Sequence, residues 1–166
     1  MATTRADEVA NELQGAIAQI NRELSDIPHE HWSTLTAAEG WTVGHCAHHI
    51  AEGYSQSRRW IDTAVESGQP VLLDGEVTRI NEANARCLEL HGDEARAATL
   101  ALLDDNARRL VERVRVLTDE QLDSPMMIFR GEPRLGSVVA LNGALRHANT
   151  HMESIRATTS ALAAST

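Results

Sequence analysis

The stretch RHANTHM, residues Arg146–Met152, belongs to a segment whose apolar residues recur with the helical period. Residues four apart in a helix lie one above the other on a single face, so His147 and His151 present two imidazoles side by side. Such a pair can bind one divalent cation, as the two histidines of zinc-protease helices do. Alone the spacing is weak evidence, because two histidines often fall four residues apart by chance.

A second group of histidines, His45, His48 and His49, lies far upstream in another segment with the helical period. At about 100° per residue, His49 borders the apolar face and His45 lies one turn below it. His48 points roughly away from the apolar face and is predicted to meet solvent. The two groups together therefore predict a metal ion held between two helices.

The composition is that of a single soluble globular domain spanning residues 1–166. Hydrophobic residues make up 42% and charged residues 23% of the 166 positions, which is ordinary for such a domain. Aromatic residues reach only 3%, so leucine, isoleucine, valine and alanine must fill the core. Long runs of alanine, leucine, glutamate and arginine favour helix.

The charge pattern argues against several classes of function. All 15 basic residues are arginines, which excludes a lysine Schiff base and a phosphate-loop lysine. The formal net charge of −9 disfavours a nucleic-acid partner, since phosphate binding needs a concentrated basic surface. An arginine-only chain also hints at a GC-rich coding genome.

The two cysteines, Cys46 and Cys87, form no spaced framework, which favours a reduced, cytoplasmic setting. Cys46 is interpreted as a small buried hydrophobe, and Cys87 as a core residue. No apolar run is long enough for a signal peptide or a membrane span, so no membrane partner is expected.

The apolar period predicts an all-α fold, an up-down four-helix bundle with a site in its core. A short extended excursion at Met126–Phe129 is expected before the last helix, and a frayed tail at about 158–166 after it. The third helix is expected to be broken at Gly92-Asp93. The four helical segments run from Thr4 to Pro28, from Thr42 to about Ser67, from Glu76 to Leu117 and from Ser137 to about Ala157.

These residues resemble the DinB-like superfamily of metal-binding helical bundles, which includes the YfiT-like bacillithiol and mycothiol S-transferases. The resemblance rests on Trp41-Thr42-Val43, followed eight residues after the tryptophan by His49-Ile50, and on His147-x-x-x-His151. Leu117–Asp123 is similar to the segment that leads out of the third helix in this family. The order and spacing of these pieces cover roughly Val9 to Ile155.

The resemblance implies a divalent ion, often zinc or nickel, held by His49, His147 and His151. It also implies an open coordination position for water or a thiol, and frequently a homodimer. His45 is additional to the pattern and is a candidate fourth ligand or a partner that hydrogen-bonds a ligand. The related maleylpyruvate isomerases carry a glutamate where this chain has His147, so that activity is not expected.

Other polar and aromatic residues lie near the predicted ligands. A carboxylate often accepts the second N–H of a metal-binding histidine, and Glu52 lies within a turn of His49. Glu52 is nearly opposite the apolar stripe, however, so solvation is the simpler interpretation. Trp41 and Trp60 either wall a pocket or pack in the core.

The predicted function is that of a divalent-metal-dependent enzyme acting on a small molecule. The leading hypothesis is transfer of a low-molecular-weight thiol of the mycothiol type onto small electrophiles. Ala140, Gly143 and Ala144, the small residues flanking the histidines of the last helix, would leave space for the electrophile. The alternatives are hydrolysis of a small amide or ester, and a non-catalytic bundle that binds a metal or an apolar ligand.

Overall fold

The computed structural model of the chain describes residues 3–73, 86 and 95–164, and it is mostly helical, as predicted. A single 3-10 turn, His29–His31, follows the first helix. None of the described helices is long and apolar enough to cross a membrane. The helices are α1 (Arg5–Asp26), α2 (Val43–Ser67), α3 (Arg96–Arg115), α4 (Asp119–Asp123) and α5 (Gly136–Ala163).

The first two helices begin where their capping residues predict. The Thr4 hydroxyl accepts a hydrogen bond from the backbone N–H of Asp7, and the Asp7 carboxylate accepts one from the backbone N–H of Thr4, both at 3.1 Å. Thr42 caps α2 by accepting from the backbone N–H of His45 at 3.0 Å. Gly68 ends α2 in the left-handed conformation, with φ of 64°.

The four long helices among the described residues enclose the core. α2 packs against α3 and α5, and α1 packs against the same two helices. The predicted apolar stripes face inward, and contact between α2 and α5 brings the two histidine groups to one side of the core. The largest fully buried side chains include Tyr54, Leu13, Leu24, Ile50, Ile61, Leu103, Leu110, Leu122, Met152 and Ile155.

A small sheet accompanies the helices. The predicted extended excursion is a hairpin of β2 (Pro125–Phe129) and β3 (Glu132–Leu135), which pair antiparallel. Arg130 and Gly131 form its turn with φ of 53° and 76°, the two positive values that a type I′ turn requires. β1 (Val71–Leu72) pairs parallel with β2 and was not predicted, because two residues show no alternation.

Two segments near the last helix differ from the prediction. α4 lies in the segment predicted to lead out of the third helix and was not predicted as a helix, although Thr118 and Gln121 form a capping box that begins it. The last helix continues to Ala163, past its predicted end at about Ala157. The side-chain hydroxyls of Thr158 and Thr159 donate to carbonyls one turn earlier in that segment.

The predicted third helix can be compared with the structure only in its second half. That half is α3, which begins at Arg96 after Ala95. The proposed first piece at residues 76–91 lies outside the described residues except for Arg86, which is helical. The proposed break at Gly92-Asp93 and the core placement of Cys87 also lie outside them.

Candidate metal centre

Three histidine side chains converge between α2 and α5. His49 on α2 and His147 and His151 on α5 each place one ring nitrogen within 4.8 Å of the other two. Their ring centroids are 4.6 to 4.9 Å apart and their planes cross at 66° to 86°, so the rings are not stacked on each other. The Nε2 atoms of His49 and His147 approach to 2.9 Å. Imidazole nitrogens in such a set are donors that zinc and nickel accept, so these residues fit a divalent ion.

The protonation of these histidines also fits metal binding. Burial, with added repulsion from the neighbouring histidines, lowers the pKa of His49 to about 3. Burial and the proximity of His151 lower the pKa of His147 to about 4. Both rings are therefore neutral at pH 7, which is the form that binds a metal.

The lowered histidine pKa values predict that the metal-free protein loses stability in acid. The unfolded chain takes up protons on these residues below about pH 6.5, whereas folded His49 and His147 take them up only near pH 3 to 4. The free energy of unfolding should therefore decrease as the pH is lowered through this window. The decrease is at most about 1.4 kcal/mol per pH unit for each histidine. Denaturant titrations between pH 7.5 and 4.5 measure the slope. His147→Gln should flatten it, and an unchanged slope would contradict this assignment.

Glu39 is the carboxylate that supports the cluster. Its Oε1 lies 3.1 Å from Nδ1 of His151, while its Oε2 accepts from the hydroxyls of Ser154 at 2.5 Å and Thr36 at 2.9 Å. Burial alone would raise the pKa of Glu39, but these hydrogen bonds outweigh it and hold the pKa below its ordinary value. The carboxylate is ionised and only accepts, so Nδ1 of His151 carries the proton.

Glu39 lies in a short loop, residues 36–41, called here the site loop. The backbone N–H of Thr36 donates to the carbonyl of Trp41 at 2.8 Å, and that of Gly40 donates to the carbonyl of Thr36 at 2.9 Å. Gly40 adopts φ of 68°, which favours glycine. From sequence alone this segment is a connector, and Glu52 is the carboxylate considered for the supporting role. The available signal for Glu39 is its place in Glu39-Gly40-Trp41, directly before the N-cap Thr42.

Trp41, also from the site loop, lies against the histidines. Its ring is nearly parallel to that of His151, at 17° and with centroids 5.9 Å apart. It meets His45 and His49 edge to face, with centroids 4.9 and 5.2 Å away. Trp41 therefore forms an aromatic wall beside the cluster, whereas Trp60 is partly buried against the hydrophobic core.

The prediction that His48 meets solvent is wrong, because the side chain is only 3% exposed. His45 is likewise buried, at 1% exposure. Every residue from His45 to Ala51 is buried, so these turns of α2 have no solvent-facing side. Neither residue belongs to the described groups of donor atoms that converge within 4.8 Å. The structure therefore does not support His45 as a fourth ligand.

Gly53 on α2 makes room for His147. A Cβ atom at residue 53 would lie 2.5 Å from Nδ1 and 2.8 Å from Cε1 of His147. That Nδ1 atom is buried and has no hydrogen-bond partner among the described residues. Ala140 and Ala144, which were expected to leave space, are 1% exposed and belong to the hydrophobic core.

A second group of donor atoms, from Glu39, Cys46 and His151, also lies within 4.8 Å. Cys46 is fully buried, as predicted, and burial raises the pKa of its thiol to about 12. The thiol is therefore protonated at pH 7 and is a poor metal ligand. Because Glu39 is also committed to three hydrogen bonds, the three-histidine set is the better metal site.

A family model described as the DinB superfamily matches residues 12–155, and the chain belongs to that superfamily. This match confirms the resemblance seen in Trp41-Thr42-Val43, His49-Ile50 and the histidine pair of the last helix. No curated protein and no solved structure matched the chain.

Proposed function

We propose that this member of the DinB superfamily is a metal-dependent enzyme whose His49, His147 and His151 hold one divalent ion, zinc or nickel. We further propose that it transfers a low-molecular-weight thiol of the mycothiol type onto a small electrophile. The observation that carries the proposal is the convergence of three imidazoles between α2 and α5. A bound ion of this kind supplies Lewis acidity, which lowers the pKa of a thiol or a water molecule.

The residues around the proposed ion have different roles. His49 and His147 offer neutral nitrogens at pH 7, so no proton has to leave either imidazolium before binding. Trp41 walls one side of the cluster and keeps water from that side. The transfer itself forms a carbon–sulfur bond and breaks the bond to the leaving group, which departs with the electron pair while the thiol proton passes to solvent.

A second candidate is hydrolysis of a small amide or ester. It is favoured by the same observation, because three histidines are also the ligand set that activates water in hydrolytic and hydration enzymes. The ligand set does not separate the two reactions. The thiol is preferred because the superfamily that this chain resembles includes S-transferases. Mycothiol is preferred because an arginine-only chain is typical of a GC-rich genome.

The test uses protein purified without a histidine tag and reconstituted with zinc or with nickel. Elemental analysis with native mass spectrometry should give about one ion per chain. The loaded protein is then incubated with mycothiol and an alkyl bromide fluorophore, and in parallel with a chromogenic ester without thiol. Metal-dependent thiol consumption, absent in His151→Ala, is the expected result.

The other outcomes are equally informative. Ester hydrolysis without thiol turnover would replace the transferase with the hydrolase. Stoichiometric metal binding with neither activity would indicate a non-catalytic binding bundle, and failure to bind either ion would overturn the metal site.

A further inference from the structure

We infer that Glu39 is a positioning residue, which fixes the tautomer and orientation of His151 so that its Nε2 atom faces the proposed ion. This inference deepens the proposed function and rests on it. The Nδ1 atom of His151 lies 3.1 Å from Glu39 Oε1, and an ionised carboxylate can only accept a hydrogen bond there. With the proton on Nδ1, the lone pair of the neutral ring is on Nε2.

Glu39 is itself held from two directions. The Thr36 hydroxyl, in the site loop, and the Ser154 hydroxyl, on α5, both donate to Oε2. Ser154 lies three residues after His151, on the same side of the helix. The carboxylate therefore joins the site loop to α5 at the level of His151, and only Oε1 remains for the imidazole.

The arrangement matches what a metal-binding histidine needs. A carboxylate that accepts the second N–H of such a histidine sets its ring orientation and raises its basicity as a ligand. The 15% exposure of the Glu39 side chain and the 12% exposure of the His151 side chain leave little water to replace this hydrogen bond. Loss of the carboxylate should therefore release the His151 ring.

His147 is held by a different means. Its Nδ1 atom has no hydrogen-bond partner among the described residues and lies against the backbone at Gly53. On the Nδ1 side, packing against Gly53 thus orients the His147 ring, and its Nε2 atom contacts that of His49 at 2.9 Å. A change at Glu39 should consequently alter His151 while leaving the environment of His147 intact, and this selectivity separates a positioning role from a general structural one.

The experiment compares wild type with Glu39→Ala and with Ser154→Ala, which removes one of the two hydroxyls that hold the carboxylate. Glu52→Gln is the matched control, because Glu52 is a half-buried carboxylate on α2 that sequence reasoning considered for the same role. Two quantities are measured on each protein. Long-range proton–nitrogen NMR of the metal-free protein reports the tautomer of His151 and of His147, and competition with a chelator reports zinc affinity.

The inference expects His151 to be the Nδ1–H tautomer in wild type and to lose that preference in Glu39→Ala, with His147 unchanged. Zinc affinity should fall roughly 10- to 100-fold in Glu39→Ala, less in Ser154→Ala, and not at all in Glu52→Gln. An unchanged His151 tautomer in Glu39→Ala would overturn the inference, as would an equal loss in Glu52→Gln. If wild type binds no zinc, the proposed function fails, while the tautomer of His151 still decides whether Glu39 fixes that ring. Should Glu39→Ala not fold, Ser154→Ala carries the same comparison.

Discussion

Replacing His49, His147 or His151 with alanine is expected to weaken zinc binding by well over roughly 100-fold. The loss should exceed the one caused by removing a residue that only hydrogen-bonds a ligand. Each substitution removes one of the three donors that converge between α2 and α5 in the part of the chain that the structure describes. Two remaining imidazoles leave the ion mostly hydrated. Competition with a chelator measures the affinity, and circular dichroism verifies that each variant remains helical.

His48→Ala is the matched control for these substitutions, because His48 is at least as buried as the proposed ligands yet lies outside the converging group. It should cost stability, as loss of a buried side chain does, while zinc affinity changes by only a few-fold. His45→Ala should fall between, since His45 packs against Trp41 beside the cluster. Loss of binding in His48→Ala with retention in His49→Ala would refute the assignment of the ligands.

Gly53→Ala should damage the site without removing any ligand. The new methyl group would lie 2.5 Å from Nδ1 of His147, closer than a Cβ atom can approach, so the ring must move. The displacement carries Nε2 of His147 away from that of His49. Zinc affinity should fall by at least the roughly 10- to 100-fold that follows when a metal-binding histidine loses its hydrogen-bond partner. Isothermal titration with zinc measures this directly.

Gly143→Ala is the control for the effect of a methyl group inside a helix. Its Cβ would meet the Ser57 hydroxyl oxygen at 3.8 Å, an ordinary contact. The higher helix propensity of alanine should then raise the free energy of unfolding by up to about 1 kcal/mol and leave zinc affinity unchanged. If Gly53→Ala binds zinc as tightly as Gly143→Ala does, His147 is not a ligand held by close packing.

The helices and the histidine pair could be predicted from sequence because both are local patterns. The spacing of apolar residues such as Leu13, Ile17 and Leu24 predicts which face of a helix is buried, and all three are buried in the structure. The i, i+4 spacing of His147 and His151 needs only the helical period to bring the rings together. The capping boxes at Thr4 and Thr118 are equally local, although only the first was used.

The parts that sequence reasoning missed depend on what packs against a residue. His48 lies on the polar side of a helical wheel, but α2 is covered on more than one side, so it is buried. The role of Glu39 depends on a contact with His151, 112 positions away, which no spacing rule contains. Gly53 matters only because the His147 ring happens to lie against it.

The wide separation of the site residues along the chain also bears on when the centre can assemble. His49 and His147 are 98 positions apart, and Glu39 and Ser154 are 115 apart. Forming each contact closes a long loop and therefore costs conformational entropy. During synthesis α5 emerges after the other described helices, and the centre stays incomplete until α5 docks against α2. Zinc can then have little part in the folding nucleus. It should act on the finished protein, slowing unfolding while leaving the folding rate nearly unchanged.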